Sequence, residues 1–362
     1  MPEQLIIGAG LSGLVAAITL ARKGRRVRVL EKYATIGGQP ERWPAVDVTP
    51  MISGAISRYL DIPIGEPQVK PCKLLNGYFW GNRLELPIAG SNLCCVERGP
   101  RGTALDLYLY SIAESLGVRF EFETPVLGQG QLANLPPDTI VATGLYAEPF
   151  DALGIPYQMG WCYASKGTSD RDAEAAIYFN DYTTDYAYWS STNGIDFVFL
   201  FRRGPISSGE LKDFERELEH TEGRGVTEWL SGYGPTPTVR FSNPRLFAAD
   251  KILAGTISGM MEPFALFGVH GALVSGKIAA MAVEDRNAAW VEFRRCLTTW
   301  RRMLLNRKIY ERLPESARRR TVVGFTNTLG ALGPDLGARV LSGAFHAVPG
   351  YHHVRECAAR DS

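Results

Sequence analysis

Residues 4–8 form an apolar run that ends in glycine, residues 11–23 have helical composition, and Arg26 to Leu30 is a valine-rich segment ending at Glu31. This succession predicts a βαβ unit. Trp43 to Gly99 carries scattered prolines and short apolar pieces such as Met51 to Leu60, a pattern that predicts irregular structure. Thr103 to Leu116 has the apolar spacing of an amphipathic helix, and Val118 to Glu123, after Gly117, reads as a strand. Asp138 to Thr143, closed by Gly144, predicts a short strand that returns the chain to the first sheet. From Ile177 to Phe201 aromatic and polar residues alternate, and Thr192-Asn193-Gly194 interrupts them with a hairpin signal, which suits an antiparallel sheet walling a cavity. Lys251 to Ala254 is a last short strand, and a glycine-punctuated helix is predicted from Gly268 to Val283. Ala288 to Arg320 is helical and basic, with Trp290, Phe293, Trp300 and Leu304 set between arginines.

The length of 362 residues exceeds the usual single-domain size and predicts a large domain with a smaller interleaved one. A net charge of +1 offers no global attraction to nucleic acid, which is excluded as a partner. No apolar stretch reaches the roughly 18 to 20 residues that span a bilayer. The first apolar run leads straight into the glycine turn and leaves no room for a signal peptide, so a cytoplasmic location is expected. The cysteines Cys72, Cys94, Cys95, Cys162, Cys296 and Cys357 form no C-x-x-C pair and no zinc-ligand spacing. No metal is expected. Cys94 and Cys95 read as small buried hydrophobes at a strand end.

Gly8-Ala9-Gly10-Leu11-Ser12-Gly13 is a G-x-G-x-x-G fingerprint between a strand and a helix. The first glycine permits the tight turn, the second lets backbone approach a pyrophosphate, and the third allows helix and strand to pack closely. The phosphates then meet the free N–H groups of a helix N-terminus. Glu31 falls 18 residues past Gly13, at the end of the next strand, where a carboxylate takes ribose hydroxyls and repels a 2′-phosphate.

Glu31-Lys32 followed by Gly37-Gly38-Gln39 resembles the E-K-x-x-x-x-G-G segment of the phytoene desaturase and amine oxidase flavoproteins. That resemblance implies FAD, with Gly38 and Gln39 near its ribityl and phosphate portion. Ile140-Val141-Ala142-Thr143-Gly144 resembles the A-T-G/A-D-G strand end of the same superfamily, which implies that Ala142 and Gly144 lie near the dinucleotide and Val126 near the adenine. The segment from Gly255-Thr256 through Glu262-Pro263-Phe264 and Gly268-Val269 to Ala279-Ala280 resembles the G-D-A-A-G…D-P-F…G-I…A-A stretch of geranylgeranyl reductases. This implies contacts from Gly255 and Thr256, with Gly268 and Val269 at a helix N-terminus facing the flavin pyrimidine edge. Thr256 stands where that family has an aspartate. Val96-Glu97-Arg98-Gly99 resembles the family's arginine-bearing segment, but the continuation Gly99-Pro100-Arg101-Gly102 differs and leaves Arg98 and Arg101 as alternative phosphate contacts. The resemblance covers about half the chain.

The expected fold is α/β, an FAD/NAD(P)-binding Rossmann-like domain (1–42, 97–150 and 245–287) with an interleaved mixed-sheet substrate domain (43–96 and 151–244) and a C-terminal helical tail (288–362). The expected activity is an FAD-dependent oxidoreductase reducing carbon–carbon double bonds of a prenyl lipid or other small molecule. A desaturase or amine oxidase, a flavin monooxygenase, and a flavin-free isoprenoid-binding escort protein remain alternatives. No catalytic residue is assigned. His270 is either a proton donor or a satisfied core histidine, and Tyr186, Tyr188 and Trp189 either line the substrate cavity or pack the sheet. No second fingerprint marks an electron donor. The basic tail either lies against anionic membrane or packs its aromatics on the body.

Overall fold

The computed structural model describes residues 3–37, 43–183 and 185–360, and its architecture is α/β with a Rossmann-like domain. Gln4–Ile7 (β1) is buried along its whole length, because it pairs in parallel with Val27–Leu30 (β2) on one side and Ile140–Val141 (β9) on the other. A parallel strand covered on both faces reads as a continuous apolar run. The sheet extends through Arg119–Glu121 (β8) beyond β2, and through Lys251–Leu253 (β16) and the antiparallel edge Phe247–Ala248 (β15) beyond β9. Gln129–Ala133 (α4) and Ala147–Ala152 (α5) flank β9 in sequence.

Leu11–Arg22 (α1) and Val269–Ala282 (α7) pack against each other at Gly276 of α7, and Gly13 seats α1 on its own glycine turn. A Cβ on Gly276 would overlap the Ser12 carbonyl oxygen, one on Gly13 the Gly8 carbonyl oxygen, and one on Gly255 would stand 2.6 Å from Ser12 Oγ. Leu105–Ser115 (α3) packs on the other side of α1.

The seven-stranded second sheet runs in the order Leu230–Thr236 (β14), Gln158–Thr168 (β10), Ile195–Arg202 (β13), Tyr186–Thr192 (β12), Glu174–Phe179 (β11), Leu74–Phe79 (β5) and Asn82–Glu85 (β6). Only β11 and β5 are parallel neighbours. The turn between β12 and β13 is Asn193-Gly194, with φ of 52° and 78°, the left-handed pair that a two-residue type I′ hairpin demands. Ser208–Glu222 (α6), opened by a Ser207/Glu210 capping box, covers one face of this sheet with Phe214 and Leu218.

Trp43 to Gly99 is not irregular. Ala45–Pro50 (β3), Leu93–Arg98 (β7) and Val69–Pro71 (β4) make a small antiparallel sheet, Ser53–Leu60 (α2) is a helix, and β5 and β6 join the second sheet. Pro50 and Pro71 sit at strand ends, where a missing N–H is tolerated. Cys94 and Cys95 are buried inside β7 and not at its end. The tail comprises Arg286–Arg295 (α8), Trp300–Arg312 (α9), Glu315–Ala331 (α10), Gly333–Ala344 (α11) and Tyr351–Arg360 (α12). A fully buried Arg307–Asp185 ion pair fastens α9 to the start of β12.

Because the α1–α7 contact leaves no room for a methyl group, Gly276→Ala should lower the unfolding free energy by about 1–3 kcal/mol. Chemical denaturation monitored by circular dichroism measures this.

Candidate functional site

A cavity of about 1020 Å³ begins at the turn between β1 and α1 and ends under α9, α10 and α11. Two helix N-termini open into it. Neither α1, which starts after Gly10, nor α7, which starts after Gly268, has a side-chain cap, so first-turn N–H groups of both helices are free to meet an anion. Unlike Gly13 and Gly276, Gly10 has nothing within 4 Å of the point where a Cβ would stand, so its small size serves no protein contact and leaves an open approach to the backbone.

Gly8, Leu11 and Ser12 line the cavity beside Gly10, whereas Ala9 and Gly13 lie beneath the turn. Glu31 is buried at the end of β2 and accepts hydrogen bonds from the backbone N–H of Ala9 (2.7 Å) and of Tyr33 (3.0 Å). The carboxylate is thereby fixed against the turn. Lys32 also faces the cavity, its Nζ 4.0 Å from the centre of the Tyr146 ring, and Tyr33 Oη lies 2.5 Å from Tyr146 Oη. Val126, Ala142 and Gly144 line the same end. The Thr143 hydroxyl between Ala142 and Gly144 is buried with no hydrogen-bond partner among the described residues, a donor and acceptor turned to the cavity. Gly255, Thr256, Gly268 and Val269 line the next stretch. Gly38 and Gln39 fall outside the described residues.

Of the two arginines, the structure brings Arg98 into the cavity and leaves Arg101 outside it. Arg98 is held on both sides, bidentate to buried Asp106 (Nε–Oδ2 2.8 Å, Nη2–Oδ1 3.0 Å) and to Asp47 (Nη1–Oδ2 3.2 Å). Burial would lower its pKa, but the two carboxylates more than offset this and raise it. A guanidinium so neutralised positions Asp47 more than it recruits a phosphate. Arg101 is half-exposed and pairs with Glu97 (3.4 Å).

Tyr186 and Tyr188 face the cavity with Phe197, Phe199 and Phe201 of the neighbouring strand. Trp189 does not: one residue further along a strand points to the other face. It packs with Phe214 and Leu200 and donates from Nε1 to Asp196 (3.0 Å). Sequence reasoning missed Asp47 and Glu262. Asp47 sits deep inside the molecule but faces the cavity, with Tyr188 Oη 3.5 Å from its Oδ1, and burial raises the pKa of both groups. Glu262 is buried and pushed up to about 7 by desolvation, against the pull of backbone N–H groups of Phe264 and Ala265. Its place before Pro263-Phe264, inside the recognisable glycine segment, was the available signal; for Asp47 there was none.

His270 is a core histidine, 1% exposed, with Nδ1 3.0 Å from the Pro349 carbonyl oxygen, and it does not line the cavity. Phe293, Trp300 and Leu304 are buried against the body, Trp300 Nε1 donating to the Met261 carbonyl (2.7 Å), while Trp290 is exposed and stacks on Phe293. Among the described residues no helix is long and apolar enough to cross a membrane.

The family of NAD(P)-binding Rossmann-like domains matches residues 6–49. No curated protein matches the chain. Among solved structures, the chain is similar to a geranylgeranyl bacteriochlorophyll reductase-like protein from Thermoplasma acidophilum (16% identity, TM-score 0.63, covering 99% of this chain and 96% of that one). It is also similar to p-nitrophenol 4-monooxygenase from Pseudomonas putida DLL-E4 (13%, TM-score 0.62, 96% and 99%). A third is CtdE, solved in complex with FAD (15%, TM-score 0.56, 91% and 99%). At these identities the likeness is one of fold.

Burial holds His270 at about 4, below its ordinary 6.5. Between those values the unfolded chain takes up a proton that the folded chain refuses, so stability falls as the pH drops from 6.5 to 4, by about 3 kcal/mol in all. His270→Gln keeps a donor for Pro349 and should lack this slope; urea unfolding across that pH range compares the two.

Proposed function

We propose that the protein is an FAD-dependent oxidoreductase that reduces carbon–carbon double bonds of a prenyl lipid. The observation that carries this reading is the continuity of one cavity, from two uncapped helix N-termini to an apolar aromatic chamber. The N-terminus of α1, at Gly10 to Ser12, suits the pyrophosphate, Glu31 the adenosine ribose, and Val126 and Tyr146 the adenine end. The Thr143 hydroxyl and Thr256 are the polar groups along the path, and Gly268 and Val269 present the second N-terminus to the flavin pyrimidine edge. Bound there in its reduced form, FAD supplies a hydride at N5.

The chain's own residues do the rest. The positive end of α7 favours negative charge at that edge. Phe197 and Phe199 on the sheet, with Leu329 and Phe345 in the tail, exclude water from the far chamber and offer an apolar substrate dispersion contacts. For the proton that completes a reduction we assign Tyr188 Oη, which burial keeps protonated and Asp47 stands behind, or Glu262, both lining the cavity.

Three experiments test the reading. Gly10→Val meets open space, so stability should stay within about 0.5 kcal/mol of the parent, while FAD binding, followed by flavin absorbance, should be lost. Thr256→Asp should retain or tighten FAD. Reduced holoenzyme mixed anaerobically with a polyprenyl lipid should be reoxidised, and the recovered lipid should gain two hydrogens per reduced bond by mass spectrometry. A colourless protein that FAD cannot reconstitute, or unchanged lipid together with rapid peroxide formation from an amine in air, overturns the assignment.

A further inference from the structure

On the side of the molecule formed by α2, α8 and α12, four side chains with metal-ligating atoms converge. Glu292 and Cys296 lie one turn apart at the end of α8, and His353 and Cys357 one turn apart on α12. Residues at i and i+4 share a helix face, so each helix presents two donors to the other. The ligand atoms of Glu292, Cys296 and His353 lie within 4.8 Å of one another. His353 Nε2 is 2.7 Å from Glu292 Oε1 and 3.7 Å from Cys357 Sγ. In a tetrahedral zinc site with bonds of about 2.0–2.3 Å, donor atoms stand roughly 3.3–3.8 Å apart, so Glu292, Cys296 and His353 need shifts of only a fraction of an ångström to about one, and Cys357 Sγ already stands at that spacing from His353 Nε2.

We propose that Glu292, Cys296, His353 and Cys357 bind one zinc ion. Four protein donors, two sulfurs, one imidazole and one carboxylate, fill a tetrahedral shell and keep no position for water, as structural sites do. Its shielding agrees: Cys296 is 6% exposed, and the side chains of Glu292 and His353 are 14% and 13% exposed.

The surroundings orient the donors as outer-shell groups do around bound metals. Tyr59 Oη donates to Glu292 Oε1 (2.9 Å), and the Tyr59 ring meets the His353 ring edge-on at 6.3 Å. Two thiolates, one carboxylate and a neutral imidazole around Zn²⁺ leave a charge of −1, and the Lys277 ammonium, over the Tyr59 ring at 4.4 Å, lies close enough to balance it. Binding releases the two thiol protons to solvent and shifts the imidazole proton from Nε2 to Nδ1.

The ion would act as a clasp. The Gly350 N–H already donates to the Cys296 carbonyl (2.9 Å) just ahead of α12, and Phe345, five residues earlier, lines the cavity. Fixing α12 on α8 therefore steadies the helical wall of the substrate chamber.

The test uses untagged full-length protein, loaded with zinc sulfate, desalted and analysed by inductively coupled plasma mass spectrometry and zinc K-edge X-ray absorption. One equivalent of zinc with two sulfur and two nitrogen or oxygen scatterers is expected. Cys296→Ser combined with Cys357→Ser should lose the metal, and Tyr59→Phe should weaken zinc binding roughly 10- to 100-fold in competition with a chelator. Should the double variant fail to fold, the wild-type metal content and scatterers decide alone. Less than a tenth of an equivalent with both thiols reduced, a coordination shell without sulfur, or a Cys296–Cys357 disulfide in the freshly purified protein overturns the proposal.

Discussion

The contact between α1 and α7 is the constraint on which the site depends. Helices normally pack with axes about 8–10 Å apart, set by the side chains between them. Here Gly276 removes the side chain that α7 would present to α1, and Ser12 of α1 is pressed between Gly276 and Gly255, the latter in the turn after β16. Ser12, at the start of α1, meets α7 about two turns in, and the two N-termini, one after Gly10 and one after Gly268, open into one cavity. No charged side chain is needed to make that end of the cavity attractive to anions, which is why so few cations line it. Of the cations that do, Lys32 lies over the Tyr146 ring and Arg98 is neutralised by Asp47 and Asp106 before any ligand arrives.

The far end of the cavity follows from strand periodicity. β12 and β13 bury both faces, one against α6 through Trp189, Leu200 and Phe214, the other towards the cavity through Tyr188, Phe197 and Phe199. A wall backed by a packed core resists deformation. The aromatic chamber is therefore preformed, and the α9 to α11 helices that close it are themselves anchored by the buried Arg307–Asp185 pair and by the Trp300 hydrogen bond to Met261. Removing one partner of such a pair strands a charge in the interior and typically costs about 3–5 kcal/mol.

What could be seen in the sequence was local. The β1–α1–β2 unit, the glycine turn, Glu31 and the Asn193-Gly194 hairpin are each encoded within a few dozen residues, and there composition and backbone requirements agree. The strands between residues 43 and 98 escaped because their partners are remote: β5 pairs with β11, about a hundred residues away, and no period of its own announces it. The expected strand from Asp138 to Thr143 forms ladder pairs only at Ile140 and Val141, where both neighbours reach it. Of the two roles open to Trp189, the alternation of the strand selects sheet packing, since Tyr188 beside it faces the cavity. The E-x-x-x-C and H-x-x-x-C pairs are invisible to a search for cysteine spacings, since their relation exists only once α8 and α12 are packed.

The order of strands in the first sheet sets a timetable for synthesis. β1 lies at the centre of that sheet, but its neighbour β9 comes more than a hundred residues later, and β16, which covers the open edge of β9, another hundred after that. On the ribosome the nascent nucleotide turn thus waits with unpaired strand edges, and with α1 packed only against α3, until α7 emerges near residue 282. Such edges invite pairing with other chains. The intervening sheet, which β5, β10 to β14 and α6 can assemble earlier, separates the waiting halves, so cofactor capture and completion of the core become one late event rather than two.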